Sequence, residues 1–271
     1  MTRPEIANTI DTGGYATNYH DRGEGFPVML VHGSGPGVSA WANWRLIIPI
    51  LAEARRVIAP DMVGFGYTER PEGITYNMDV WAKQAVDLMD ALGIERTDIV
   101  GNSFGGGLAI KLAIDYPERV RKLVLMGAMG IDFPITYGLD TVWGYTPSVE
   151  NMDELLHLFV DNKAIATPDL AEMRYAASIE PGFQEAFSSM FPEPRQQGVE
   201  SMASPEDEIR KIPHPTLIVH GREDQVIPLD NAYRLLQLID DAQLHVFGHC
   251  GHWTQIERAE LFAQQVNNFL G

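Results

Sequence analysis

The chain has 271 residues, of which 45% are hydrophobic and 21% charged, and a formal charge of −17 from 20 Lys and Arg against 37 Asp and Glu. Such a chain can bury a substantial core, and its acidity excludes the basic surface that nucleic acid requires. No stretch reaches the roughly 18 apolar residues of a membrane span, no apolar run follows Met1-Thr-Arg-Pro-Glu to make a signal peptide, and the one cysteine, Cys250, cannot form an intrachain disulfide, so a cytoplasmic location is expected.

In chain order, Pro27-Val-Met-Leu-Val-His32 is the first continuous apolar run and predicts a fully buried strand. A helical pattern follows near 41–53. Arg56–Asp61 predicts a second strand. A helix over 79–92 has Asp79 as its N-cap and Gly93 at its end. Thr97–Gly101 is a third strand, 104–115 a helix and Lys122–Met126 a fourth strand. Late in the chain come Thr216–His220, a helix near 231–238, the strand Gln243–Phe247 and a closing helix from about 254. Strand–helix–strand alternation predicts right-handed crossovers and a mostly parallel sheet. Between Asp132-Phe-Pro and Ala203-Ser-Pro the rhythm breaks into helical patterns with no core strand. At about 75 residues this stretch is too long for a simple crossover. It predicts a helical cap, 132–207, inserted into a core made of 1–131 and 208–271.

Gly101-Asn-Ser103-Phe-Gly105 stands between a predicted strand and a predicted helix. G-x-S-x-G in that setting resembles the nucleophile elbow of the α/β-hydrolase fold, where a sharp turn lifts the serine oxygen above the sheet. A hydroxyl needs a base to take its proton, and in this fold an acid and then a histidine follow on loops beyond late strands. Asp224, just past Thr216–His220, and His252, just past Gln243–Phe247, stand in those places. Glu223 is a rival acid and His249 a rival base. His32-Gly-Ser-Gly-Pro-Gly37, after the first strand, resembles the His-Gly loop that supplies an oxyanion hole. The donors would be the backbone N–H groups of Ser34 and Phe104. A phosphate-binding loop is excluded because neither G-x-G-x-x-G nor a Gly-Lys-Ser/Thr ending is present. No histidine pair has metal-ligand spacing on a helix, so no metal or other cofactor is expected.

Two positions speak to the substrate. Thr167-Pro168-Asp169 reads as N-cap, first-turn proline and first-turn acid, and on the helix it starts Leu170, Arg174 and Ala177 share a face. An arginine in the apolar stripe of a cap helix predicts an internal counter-ion for a carboxylate; the alternative is a surface arginine with its stem laid along the helix. Met129, beyond the fourth strand, lies at the carboxyl end of the sheet, where ligands bind. It is expected to border the acyl side of the pocket or to pack beneath the cap.

The runs His32-Gly-Ser-Gly-Pro-Gly-Val-Ser-Ala-Trp-Ala-Asn43-Trp, Gly101-Asn-Ser-Phe-Gly-Gly-Gly, Val142-Trp-Gly-Tyr-Thr-Pro147, Met190-Phe-Pro-Glu-Pro-Arg195 and Cys250-Gly-His-Trp253 resemble the meta-cleavage product hydrolases, carbon–carbon bond hydrolases of aromatic degradation. The resemblance spans essentially the whole chain and is greatest to the branch acting on 2-hydroxymuconic semialdehyde. It implies a triad of Ser103, Asp224 and His252. It also implies that Asn43, Asn102, Arg174 and Trp253, with Ser34 nearby, bind the carboxylate and 2-hydroxyl end of an anionic dienoate, and that the enzyme is a homo-oligomer. Two positions depart from the family's pattern: His249, where Arg or Lys is usual, and Gly198, where a bulky residue is usual. A carboxylesterase or lactonase with the same triad, or a non-catalytic binding protein of the same fold, are the competing readings.

Overall fold

The computed structural model describes residues 3–271. Its elements run β1 Asn8–Asp11, β2 Ala16–Arg22, β3 Pro27–Val31, α1 Ala40–Trp44, α2 Ile48–Leu51, β4 Arg56–Pro60, α3 Met78–Ala91, β5 Thr97–Asn102, α4 Phe104–Asp115 and β6 Val120–Met126. Six helices follow without a strand: α5 Tyr137–Trp143, α6 Val149–Phe159, α7 Pro168–Ser178, α8 Phe183–Met190, α9 Gln196–Met202 and α10 Glu206–Ile209. The chain then returns through β7 Thr216–Gly221, α11 Leu229–Leu238, β8 Ala242–Phe247, α12 Thr254–Glu257 and α13 Ala259–Leu270. No described helix is long and apolar enough to cross a membrane.

The strands form one sheet of order β1-β2-β4-β3-β5-β6-β7-β8. It is parallel from β4 to β8, and β1 and β2 join antiparallel at one edge. Strand side chains alternate between faces, which explains the continuous apolar runs: both faces are covered. Met29, Val31, Leu123 and Leu125 enter the core with Leu88 of α3, Leu108 of α4 and Leu235 of α11. Val28, Leu30, Val124 and Met126 enter the opposite one with Trp44 of α1, Leu51 of α2 and Phe262 of α13.

Three local expectations need correction. The hairpin β1–β2 is not predicted, because its sequence, NTID and ATNYHDR, is polar. Several of its buried polar groups pair with one another or with the core instead: the Thr12 and Thr17 hydroxyls lie 2.6 Å apart, and Asn18 Nδ2 donates to Asp61 at 2.8 Å. The predicted helix 41–53 is two short ones, and Pro49, which has no N–H to continue a ladder, sits in the first turn of α2. The cap of α3 is Asn77, whose side chain accepts from Val80 N–H at 2.9 Å, and Asp79 is the first-turn acid. Thr167 caps α7 by accepting from Leu170 N–H.

Candidate active site

Ser103 sits between β5 and α4 with φ 55° and ψ −114°, a left-handed backbone that few non-glycine residues adopt and that marks stored strain. The turn is possible because its neighbours lack side chains. A Cβ on Gly101 would strike the Gly105 carbonyl, one on Gly105 the Val31 carbonyl, and one on Gly106 the Ala128 side chain. The Ser103 carbonyl accepts from the N–H groups of Gly106 at 2.9 Å and Met129 at 3.1 Å, so the elbow is tied to α4 and to the chain beyond β6.

Asp224 and His252 follow β7 and β8, neighbours in the sheet. His252 Nδ1–H donates to Asp224 Oδ2 at 2.7 Å, and the two side chains are 4% and 1% exposed. Asp224 Oδ1 accepts the N–H groups of Val226 and Ile227 at 2.8 and 2.9 Å. Burial alone would raise the Asp224 carboxyl, but His252, His220 and the Ile227 N–H hold it below the usual aspartate range. His220 Nε2–H donates to the Ile227 carbonyl at 3.0 Å and lies 3.4 Å from Asp224 Oδ2, beside the same carboxylate. Glu223 has a different setting: 28% exposed, paired with Arg222 at 2.7 Å and accepting Cys250 N–H at 3.0 Å. His249 is exposed and does not line the cavity that Ser103 and His252 share.

The cavity holds about 250 Å³. Gly33 and Ser34 form part of its wall, and a Cβ on Gly33 would meet Asn102 Oδ1 at 2.7 Å and Ser103 Cβ at 3.5 Å. Among the described residues the Ser34 and Phe104 N–H groups donate to no protein acceptor. His32, fully buried, explains the orientation of one of them. Its Nδ1–H donates to the Gly33 carbonyl at 2.7 Å while its Nε2 accepts Met62 N–H at 2.9 Å. The C=O and N–H of a trans peptide point opposite ways. Holding the Gly33 carbonyl on His32 therefore aims the Ser34 N–H away from His32. Burial keeps this imidazole neutral, its pKa lowered to about 4.

Asn43, Asn102, Arg174 and Trp253 all line the cavity. Asn43 Oδ1 accepts Gly33 N–H at 3.2 Å, and its buried Nδ2 has no protein partner. Arg174 is half-buried, its guanidinium lowered to about 10 by desolvation with Arg45 pushing the same way, and so charged at neutral pH. Nη2 donates to the Pro36 carbonyl at 3.1 Å. Leu170 and Ala177 of the same helix face join it on the wall. Trp253 stacks on Phe159, with centroids 4.7 Å apart and planes 11° from parallel. Met129 is not brought to the cavity: it is fully buried in the core that includes Leu139, Val142 and Trp143. The turn at Gly127, φ 50°, and the Met129 N–H bond to Ser103 fix its backbone under the elbow, and its side chain packs there. Other wall residues escaped sequence reasoning, among them Glu5, Arg45, Phe159 and Val226. Arg45 carries no motif, Phe159 ends α6, and Val226 lies beyond Asp224.

The Gly198 departure has a steric explanation. A Cβ there would stand 2.8 Å from Trp143 Cζ3. Trp143 stacks on Phe191 at 4.5 Å and donates from Nε1 to Ser34 Oγ at 3.1 Å. The indole fills the space that a bulky residue at 198 would take. Among the described residues no group of three or more His, Cys, Asp or Glu is placed to hold a metal ion.

Comparison with known proteins agrees with this geometry. The family model of the alpha/beta hydrolase fold matches residues 27–149 and 162–259. A 2-hydroxymuconate semialdehyde hydrolase of Pseudomonas sp. (strain CF600) is 60% identical over 98% of this chain and 94% of its own. A 2-hydroxy-6-oxo-2,4-heptadienoate hydrolase of Pseudomonas putida F1 is 57% identical over 98% and 96%. Among solved structures, a serine-to-alanine variant of a meta-cleavage product hydrolase from Pseudomonas fluorescens IP01, complexed with acetates, superposes with a TM-score of 0.98 at 58% identity, covering 99% of this chain and 98% of that one. At 57–60% identity over nearly its whole length, and superposing on a solved member throughout, the chain belongs to the meta-cleavage product hydrolase family of the α/β-hydrolase fold.

Proposed function

We propose that this enzyme hydrolyses the C5–C6 bond of 2-hydroxy-6-oxo-2,4-dienoates, of the 2-hydroxymuconic semialdehyde type, to 2-hydroxypenta-2,4-dienoate and a small carboxylic acid. The observation that carries the reading is that one cavity joins Ser103 and His252 to Arg174 and the unpartnered Nδ2 of Asn43. A carboxylate docked on Arg174 and Asn43 would place the rest of a six-carbon chain toward the serine. The names of the 60% and 57% identical relatives support the substrate class. A plain esterase would have no use for a charged arginine in that wall.

In the reaction, Arg174, Asn43 and Asn102 hold the carboxylate and 2-oxygen while the dienol becomes the 2-oxo tautomer, gaining a proton at C5. His252, oriented by Asp224, takes the Ser103 proton as Oγ attacks the C6 carbonyl. The N–H groups of Ser34 and Phe104 stabilise the oxyanion. Collapse breaks the C5–C6 bond and expels a dienolate stabilised by its own conjugation, and water releases C6 as the acid. The segment 132–207 acts as the cap over this site, leaving 1–131 and 208–271 as the core, and the enzyme works as a cytoplasmic homo-oligomer. The test is loss of the yellow dienolate absorbance on adding enzyme to the ring-fission products of catechol, 3-methylcatechol and 2,3-dihydroxybiphenyl. No loss with any of the three would reject the reading.

A further inference from the structure

The charges on the cavity wall are few and lopsided. Its lining holds two guanidinium groups, Arg45 and Arg174, and one carboxylate, Glu5, in a chain of net charge −17. Among the described residues neither arginine has a carboxylate within salt-bridge distance. Arg45 donates only to the Ala42 carbonyl, and Arg174 only to that of Pro36. Burial makes the charge of Arg45 harder to hold, and the two cations repel each other. Two like charges on one wall, neither in contact with a carboxylate and both sharing the cavity with the unpartnered Asn43 Nδ2, suit an anion. Glu5 is the one carboxylate among the described wall residues, acting on Arg174 from a distance. The two arginines are not equivalent: Arg174 comes from α7 and desolvation lowers its guanidinium to about 10, whereas Arg45 follows α1 beside Leu46, which is 40% exposed. Glu5 reaches the wall on the N-terminal segment, whose placement is fixed from both sides. Asn18 Nδ2 donates to the Glu5 carbonyl at 2.9 Å, and Arg3 pairs with Glu180, beyond the end of α7, at 2.9 Å.

We propose that Arg45 and Glu5 form a charged collar where the cavity meets solvent. Arg45 draws in the substrate carboxylate and passes it to Arg174, and Glu5 opposes it as the resident anion. The inference rests on the dienoate reading above. Steering by a local cation is needed because the overall field of an acidic protein repels an anion. It also gives Arg45 a role distinct from that of Arg174: capture at the mouth, read in kcat/KM and its salt dependence.

The experiment compares kcat/KM for the catechol ring-fission product with that for neutral p-nitrophenyl acetate in Arg45→Gln, Arg45→Lys and Glu5→Gln. Each is measured at about 10 mM salt, where the Debye length is about 30 Å, and at about 1 M, where it is about 3 Å. Arg45→Gln should lower the dienoate-to-ester ratio about tenfold at low salt and no more than about twofold at high salt. Arg45→Lys should restore most of the ratio. Glu5→Gln should move it the other way, about threefold up at low salt, converging with wild type at high salt. A ratio unchanged in Arg45→Gln, a loss indifferent to salt, or shifts of the same sign in Arg45→Gln and Glu5→Gln would overturn the collar. Wild-type enzyme that leaves the dienoate intact would instead overturn the function on which the collar rests.

Discussion

Replacing Asp224 by Asn tests the acid of the triad against its neighbour. In the native site Asp224 Oδ1 takes two backbone N–H groups and Oδ2 takes the His252 Nδ1–H at 2.7 Å. An amide that keeps the first oxygen must present an NH₂ to His252. The imidazole then settles as the other tautomer, with a proton on the nitrogen that should receive one from Ser103. Loss of the correct tautomer costs about 10⁴ in kcat, or about 5 kcal/mol of barrier. The same NH₂ would face the His220 Nε2–H, now 3.4 Å from Oδ2, so a stability loss of about 1–3 kcal/mol should accompany it. Glu223→Gln loses only a partly exposed pair with Arg222, worth about 0–1 kcal/mol, and its amide oxygen still accepts Cys250 N–H. Steady-state rates on the catechol ring-fission product and thermal melts measure both effects. The reasoning fails if Glu223→Gln is the more damaging change, or if Asp224→Asn keeps a tenth of wild-type kcat.

Arg174→Gln should lower kcat/KM for the dienoate relative to p-nitrophenyl acetate by about 30- to 150-fold, which is about 2–3 kcal/mol for a lost charge partner; equal losses on both substrates would show a structural role. Met129→Ala should cost about 2–5 kcal/mol in denaturant melts, as a core truncation does, while leaving the ratio of rates on the three ring-fission products unchanged; a shift toward the biphenyl product would put Met129 back at the pocket. His32, depressed from 6.5 to about 4 in the folded chain, stabilises fully only above pH 6.5 and loses that contribution as pH falls toward 4. The stability advantage of wild type over His32→Gln should therefore narrow by about 3 kcal/mol between pH 7 and pH 4, and a gap that is flat with pH would contradict the buried neutral imidazole.

What could be read from the sequence followed from how strongly each signal is determined locally. The inner parallel strands are rich in apolar residues because the sheet is covered on both faces there, and the elbow is legible because a Cβ at Gly101, Gly105 or Gly106 would strike its neighbours. The face Leu170–Arg174–Ala177 follows from helical spacing and the Thr167 cap, and those three side chains meet in the cavity. The β1–β2 hairpin was hidden because its stability comes from polar pairs such as Asn18–Asp61, made between residues 43 positions apart. Arg45 carried no local signal, since what singles it out is its nearness to Arg174. Met129 misled for the same reason: the end of a parallel strand is a good place for a ligand, but the turn at Gly127 and the bond to Ser103 turn this side chain into the core.

The central claim is that Ser103 in this cavity cleaves a carbon–carbon bond of a dienoate anion. It is tested most directly by following the absorbance of the catechol ring-fission product with wild-type enzyme and with Ser103→Ala, and by identifying the products. Wild type should bleach the chromophore and release 2-hydroxypenta-2,4-dienoate with one equivalent of formate. Ser103→Ala should still bind the dienoate and shift its spectrum, with turnover reduced by about 10⁴–10⁶. A Ser103→Ala enzyme that keeps a tenth of wild-type turnover, or a wild type that hydrolyses p-nitrophenyl acetate but leaves the dienoate uncleaved, would contradict the account.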